Sequence, residues 1–246
     1  MKIKKLNISQ TNFVNKLDKH LSLKQKNSET IEKTVDTILN TVKKNGDRGL
    51  KSLIKKYDMT SYKRISDSVV TSDEISLAYT NVSKKVLSSL KKAIGNIKKF
   101  SRQQKLRNWS INVKGSRLGE KVTPIERVGI YVPGGKASYP STVVMNAIPA
   151  RVAGVDHITM VCPPTDGNLN PLVLIAADLC GVDEIYKFGG AHAVGALAYG
   201  TETVRSVDKI VGPGNIFVAT AKKKVFGKVG IDSFAGPSEV LIIADK

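Results

Sequence analysis

Apolar positions change their rhythm near residue 109. From Ser28 to Asn45 they fall at Ile31, Val35, Ile38, Leu39 and Val42, a spacing that lines one helix face. Ser28 reads as the N-cap, Glu29 and Glu32 suit the first turn, and Gly46 reads as the stop. A second helix is predicted from about Asp47 to Tyr57. A third starts near Ser72, where Ser-Asp-Glu resembles a cap, and runs through Leu77, Val82, Leu87, Leu90, Ile94 and Ile97 to about Phe100. After Trp109 the pattern becomes short β-branched runs punctuated by Gly and Pro: 127–132, 157–162, 184–188, 209–211 and 240–244. Helical spacing fills the gaps at 141–152, 170–179, 191–199 and 215–225. Strand and helix alternating through short connections predict right-handed βαβ units on a parallel sheet buried on both faces. The fold class is α/β: a helical N-terminal segment followed by a Rossmann-like domain.

Composition divides the chain at the same place. Residues 1–120 hold 27 Lys+Arg against 10 Asp+Glu, and residues 121–246 hold 12 against 11. A basic half attracts polyanions. Here, however, the charge is scattered Lys among Asn, Ser and Ile rather than clustered Arg and aromatics, so a nucleic-acid partner is not expected. The N-terminus has no apolar signal-peptide core, and no run of about eighteen apolar residues suggests a membrane span, which makes the cytosol the expected compartment. The two cysteines, Cys162 and Cys180, form no CxxC pair, and burial as small hydrophobes is their expected role. The first hundred residues show no constellation able to do chemistry, and His20 reads as a solvated surface residue.

In an open parallel sheet, ligands sit beyond the carboxyl ends of the strands. Glycines mark those places: Gly134-Gly135 after the first strand, Gly189-Gly190 after the third, and Gly212-Pro213-Gly214 after the fourth. Three such loops on one edge suggest a nucleotide site, with backbone N–H groups near a phosphate. The GxGxxG fingerprint is absent, so a dinucleotide would have to bind in another manner; Walker A is absent too, which argues against a kinase. No HxxE or HExxH spacing exists to assemble a catalytic zinc.

Four blocks occur in order: VGIYVPGGKASYPSTVVMNAIPARVAGV, LCGVDEIYKFGGAHAVGALAYGTETV, VDKIVGPGNIFVATAKKKV and IDSFAGPSEVLIIAD. Together they resemble the histidinol dehydrogenase family. The resemblance implies an NAD-dependent, zinc-containing homodimer that oxidises L-histidinol through L-histidinaldehyde to L-histidine, the last steps of histidine biosynthesis. It also implies two Rossmann-like domains. Residues 1–127 would be the helical arm and first part of a discontinuous domain, 128–236 the inserted NAD-binding domain, and 237–246 a strand returning to the first.

Carried over by motif, the implied cofactor contacts are Tyr131, His192 and Asn215, and the implied substrate contact is Ser238. On residue type alone, a strand-end Tyr, an N-cap Asn and a turn Ser account for three of them more simply. His192 departs from the family, which usually has Gln there. An imidazole offers one donor and one acceptor where an amide offers more, so NAD affinity is the property in question. The family's zinc ligands, its Glu/His acid–base pair and most of its substrate shell lie beyond AGPSEVLIIAD. The expectation is therefore a partial chain with no catalytic or metal residue of its own, unable to oxidise histidinol alone and prone to expose the 240–244 strand. Two other readings stand beside this one: a sister dehydrogenase acting on another small polar alcohol, and a basic anion-binding module.

Overall fold

A computed structural model of the chain describes residues 6–134, 139–234 and 242, with the backbone alone over 19–28. Three helices form the arm region: α1 (Phe13–Tyr57), α2 (Ser72–Thr80) and α3 (Lys84–Gln103), with a 3-10 turn at Ile65–Ser68 between the first two. A hairpin follows, β1 (Trp109–Val113) and β2 (Ser116–Glu120). The α/β part then runs β3 (Arg127–Tyr131), α4 (Pro140–Ala153), β4 (His157–Val161), α5 (Pro171–Leu179), β5 (Glu184–Tyr186), α6 (Gly190–Tyr199), β6 (Lys209–Val211), α7 (Ile216–Val225) and β7 (Gly230–Ile231).

The five strands β3 to β7 form one parallel sheet in the order β5-β4-β3-β6-β7. The chain builds outward from β3 in one direction through α4 and α5, crosses back, and builds the other way through α6 and α7. The strand order therefore reverses between β3 and β6, and their carboxyl ends form the crevice where doubly wound folds bind ligands. Alternation along β3 shows how the two faces are shared. Val128, Ile130 and Val132 join the core under α4 and α5, whereas Tyr131 joins the core under α6 and α7. Gly129 faces the second core, where an added Cβ would lie 2.9 Å from the Leu197 side chain, so glycine lets α6 lie close against the strand.

The arm is the outer layer on both faces. α1 packs on α6 and α7, burying Val35, Ile38, Leu39, Val42, Leu50 and Ile54, while α2 packs on α5 and α3 on α4. The stripe predicted for 28–45 is thus the stripe that docks. The helix begins at Phe13 rather than at Ser28, so Ser28 is not its N-cap. Gly46 breaks α1 into two helical segments, in keeping with the predicted stop there and the second helix from Asp47 to Tyr57: its φ of +51° lies in a region that residues with a Cβ rarely adopt, and helical geometry resumes at once. The long helix predicted over 72–100 is two helices. Thr71, not Ser72, caps the first through a reciprocal box with Glu74, and Ser83 caps the second, accepting from Val86 N–H. The apolar spacing continues across the turn because both helices face the same core, which is why periodicity alone merges them.

The hairpin was not anticipated. Lys114 and Gly115 both take positive φ, +48° and +83°, the geometry of a two-residue hairpin turn. Trp109, Ile111 and Val113 alternate before it, a signal present in the sequence. The short strand β7 was missed as well. The strand predicted over 240–244 lies outside the described residues except for Ile242. No helix among the described residues is long and apolar enough to cross a membrane.

Candidate functional site

Glycines at the carboxyl ends of the strands allow close packing. An added Cβ at Gly134 would overlap the Pro163 carbonyl, one at Gly189 would lie 2.6 Å from the Pro163 ring, and one at Gly212 would overlap the Tyr131 carbonyl. The connections after β3, β4, β5 and β6 are thereby drawn together at the switch point.

Tyr131 ends β3 and is buried. Its hydroxyl accepts a hydrogen bond from Gly190 N–H at 3.0 Å, and burial pushes its pKa up to about 12. His192 sits in the first turn of α6 and is only 1% exposed. Its Nε2 lies 2.9 Å from Oδ2 of Asp58, the residue that ends α1. The same carboxylate oxygen accepts from Gly189 N–H at 3.2 Å. The imidazole stacks on Tyr57 at 6.1 Å between centroids and has Phe188 on its flank at 6.5 Å. Tyr131 and His192 thus converge on the Gly189-Gly190 loop.

Asn215 lies at the neighbouring loop. Its side-chain oxygen accepts from Phe217 and Val218 N–H, both at 3.1 Å, so it is the N-cap of α7. Beneath it, Lys222 and Asp232 clamp Gly212. The buried Lys222 ammonium donates to the Gly212 carbonyl at 2.9 Å and pairs with Asp232, whose other oxygen accepts from Gly212 N–H at 2.8 Å. Burial pushes the Asp232 carboxyl up, but the Lys222 ammonium and the N–H groups of Gly212 and Ser233 outweigh it and hold the pKa below the usual carboxylate range. Ser238 lies outside the described residues.

Two corrections to the sequence reading follow. The N–H groups of Gly189, Gly190 and Gly212 do not wait for a phosphate, because Asp58, Tyr131 and Asp232 already accept from them. These glycines serve close backbone approach instead. The arm also carries a chemically relevant group after all, since Asp58 pairs with a histidine 134 positions away. The only sequence signal for it was an acidic residue at a helix end after an apolar stripe, and nothing local points it at His192.

Cys162 and Cys180 are buried, unpaired and far from thiolate character, with burial pushing both up to about 12. His157 is at the opposite end of the sheet, at 3.3 Å from Glu184. Among the described residues, no group of three or more His, Cys, Asp or Glu could hold a metal ion. A groove of about 1020 Å³ lies beside α4 and is lined by residues such as Arg107, Ile125, Met145, Pro149 and Lys209, without a carboxylate, His, Ser or Cys.

Comparison with known proteins places this geometry in context. A family model described as histidinol dehydrogenase matches residues 21–246. A histidinol dehydrogenase of Geobacter sulfurreducens is 50% identical over 241 residues, covering 98% of this chain and 56% of the relative. One from Nitrosomonas europaea is 48% identical over 246 residues, covering 100% and 57%. The crystal structure of histidinol dehydrogenase from Elizabethkingia anophelis superposes with a TM-score of 0.80 at 41% identity, covering 85% of this chain and 48% of that one. The chain spans about half the length of the curated relatives it matches.

Proposed function

The chain belongs to the histidinol dehydrogenase family, and from that premise we propose that it supplies the dinucleotide-binding part of an NAD-dependent oxidation of L-histidinol to L-histidine by way of L-histidinaldehyde. The observation that carries the proposal is the convergence of Tyr131, His192 and the glycine loops at the switch point between β3 and β6. NAD, when bound, takes up the hydride released by the alcohol and then by the aldehyde. The chain's own part is to bind and orient. Tyr131 fixes Gly190 through its hydroxyl oxygen and keeps the O–H hydrogen for a ligand. Asn215 sets the start of α7 and has its amide nitrogen to offer. Ser238 is proposed to contact the alcohol substrate. Because the glycine N–H groups are already satisfied, the dinucleotide is held by hydroxyl, amide and imidazole groups rather than by a phosphate cradle.

The residues described do not fit a zinc ion, so no step of this reading passes through one. The 246 residues by themselves are proposed to bind NAD weakly and to leave histidinol unoxidised, because the described residues offer no group placed to take the hydroxyl proton. A homodimer working in the cytosol belongs to the same reading. Calorimetric titration of the purified chain with NAD⁺, with NADH formation from histidinol followed in parallel, tests it. Binding without turnover is the expected result. No binding by folded chain defeats the cofactor assignment, and rapid turnover shows that the chemistry has been misplaced.

A further inference from the structure

His192 and Asp58 lie 134 positions apart and meet in a buried place, and the cofactor reading above does not explain why. The side chains are 1% and 7% exposed. A carboxylate can only accept, so a 2.9 Å approach to Nε2 requires the ring to carry its hydrogen there. In the neutral imidazole the lone pair is then on Nδ1. That atom faces Gly190, where a Cβ would lie 3.1 Å from it. It has no hydrogen bond to any described residue. It is a buried acceptor facing the loop, without a partner among the described residues. Tyr131 also meets Gly190, its oxygen occupied by the Gly190 N–H and its hydrogen without an acceptor among the described residues.

We propose that Asp58 is a positioning residue for dinucleotide binding: it fixes His192 as the Nε2–H tautomer, so that Nδ1, at the Gly190 loop, recognises a ligand hydroxyl or carboxamide. A phosphate oxygen is not recognised there, since it would meet a lone pair. Asp58 acts through the ring and does not touch the ligand. Because Asp58 ends α1, whose stripe docks on α6, the arm completes the loop that the sheet domain begins. The inference rests on the dinucleotide reading of the preceding subsection.

The test uses the 246-residue chain with ¹⁵N-labelled histidine, NAD⁺ as the titrant, and melting curves to establish that each variant is folded. The His192 ring signals, identified by their absence from His192→Ala, should show hydrogen on Nε2. Asp58→Asn keeps an accepting oxygen for both Gly189 and the ring, so it should retain that tautomer and bind NAD⁺ within about twofold of the parent. Asp58→Ala should lose the tautomer preference and weaken NAD⁺ binding about tenfold, the scale of one hydrogen bond. Made on His192→Ala, the same change should cost less than about twofold, because its route is gone. An Nδ1–H tautomer in the parent, or an equal loss from Asp58→Ala with and without His192, overturns this inference while leaving the cofactor assignment standing. A folded parent without NAD⁺ affinity overturns the cofactor assignment and this inference with it. If Asp58→Ala does not fold, the ring signals of the parent and the affinity of Asp58→Asn decide.

Discussion

The two ends of the parallel sheet each hold a histidine beside a carboxylate, and they use them differently. At the amino end His157 stands at 27% side-chain exposure near Asp183 and Glu184. Backbone groups around it are paired by side chains: Asp183 accepts from Ile158 N–H at 2.7 Å and pairs with Arg151, whose guanidinium also donates to the carbonyls of Val155 and Asp156. Asp208 likewise accepts from Arg127 N–H at 2.8 Å. This end closes its own backbone. At the carboxyl end the pair is buried, glycines hold three loops within contact, and an imidazole nitrogen and a tyrosine hydrogen are left without protein partners among the described residues. The amino end buries Arg127 Nε and Nη2 and His157 Nε2 without hydrogen-bond partners among the described residues, whereas the carboxyl end gathers its unpaired groups beside the glycine loops, where open α/β sheets bind ligands.

The strongest way to break the comparison is to substitute a glycine at each end. Gly212 has φ +107° and no room beside the Tyr131 carbonyl, so Gly212→Ala should cost about 4 kcal/mol in urea unfolding, from a left-handed backbone plus a backbone overlap. Gly227, which follows α7 at the amino end, has φ +95° but open space around it, so Gly227→Ala should cost only about 1 kcal/mol. Equal costs would mean that the loops at the carboxyl end are not tightly drawn together.

Removing the carboxylates comes next. Asp58→Ala leaves a buried imidazole and the Gly189 N–H without their acceptor and should destabilise the chain by about 3 kcal/mol. Asp183→Ala, at a side chain 36% exposed where water can replace the lost acceptor, should cost about 1 kcal/mol. Thermal melting of both variants checks the ratio; the larger loss at Asp183 would reverse the assignment of which end is enclosed.

A titration sharpens the comparison further. Asp232 is held below its ordinary pKa in the fold, so its pairing with Lys222 contributes fully above the unfolded value near 3.8 and is lost as pH falls through the lower folded value. Stability of the chain should therefore drop below about pH 4, with Asp232→Asn removing on the order of 1 kcal/mol of that acid-sensitive part. An unchanged acid limb in the variant would take the Gly212 clamp out of the account.

The smallest effect is expected at His192 itself. His192→Gln should change NAD⁺ affinity by no more than about 1 kcal/mol, towards tighter binding, because an amide can take the Asp58 contact through its nitrogen and still present its oxygen to a ligand. Calorimetry on parent and variant measures it, and weaker binding by the Gln form would show that the imidazole is the better acceptor at this loop.

Much of this was legible in the residues alone. The alternation of β-branched runs with helical spacing determined the α/β class, the strand positions of β3 to β6 and the glycine loops at their carboxyl ends, because burial on two faces and tight turns leave local compositional marks. The apolar stripe of α1 was legible for the same reason, as were its break at Gly46 and the burial of both cysteines. What the tertiary structure alone decided are the long-range pairings. Nothing near Asp58 in sequence distinguishes it from any acidic residue at a helix end, and nothing near Gly189, Gly190 or Gly212 tells whether their N–H groups face a ligand or a protein oxygen. Hydrogen bonds between residues 59 to 134 positions apart depend on how α1 docks and how strands order. Docking is set by the summed burial of many apolar side chains, which carries no instruction in the sequence around the polar groups that it brings together.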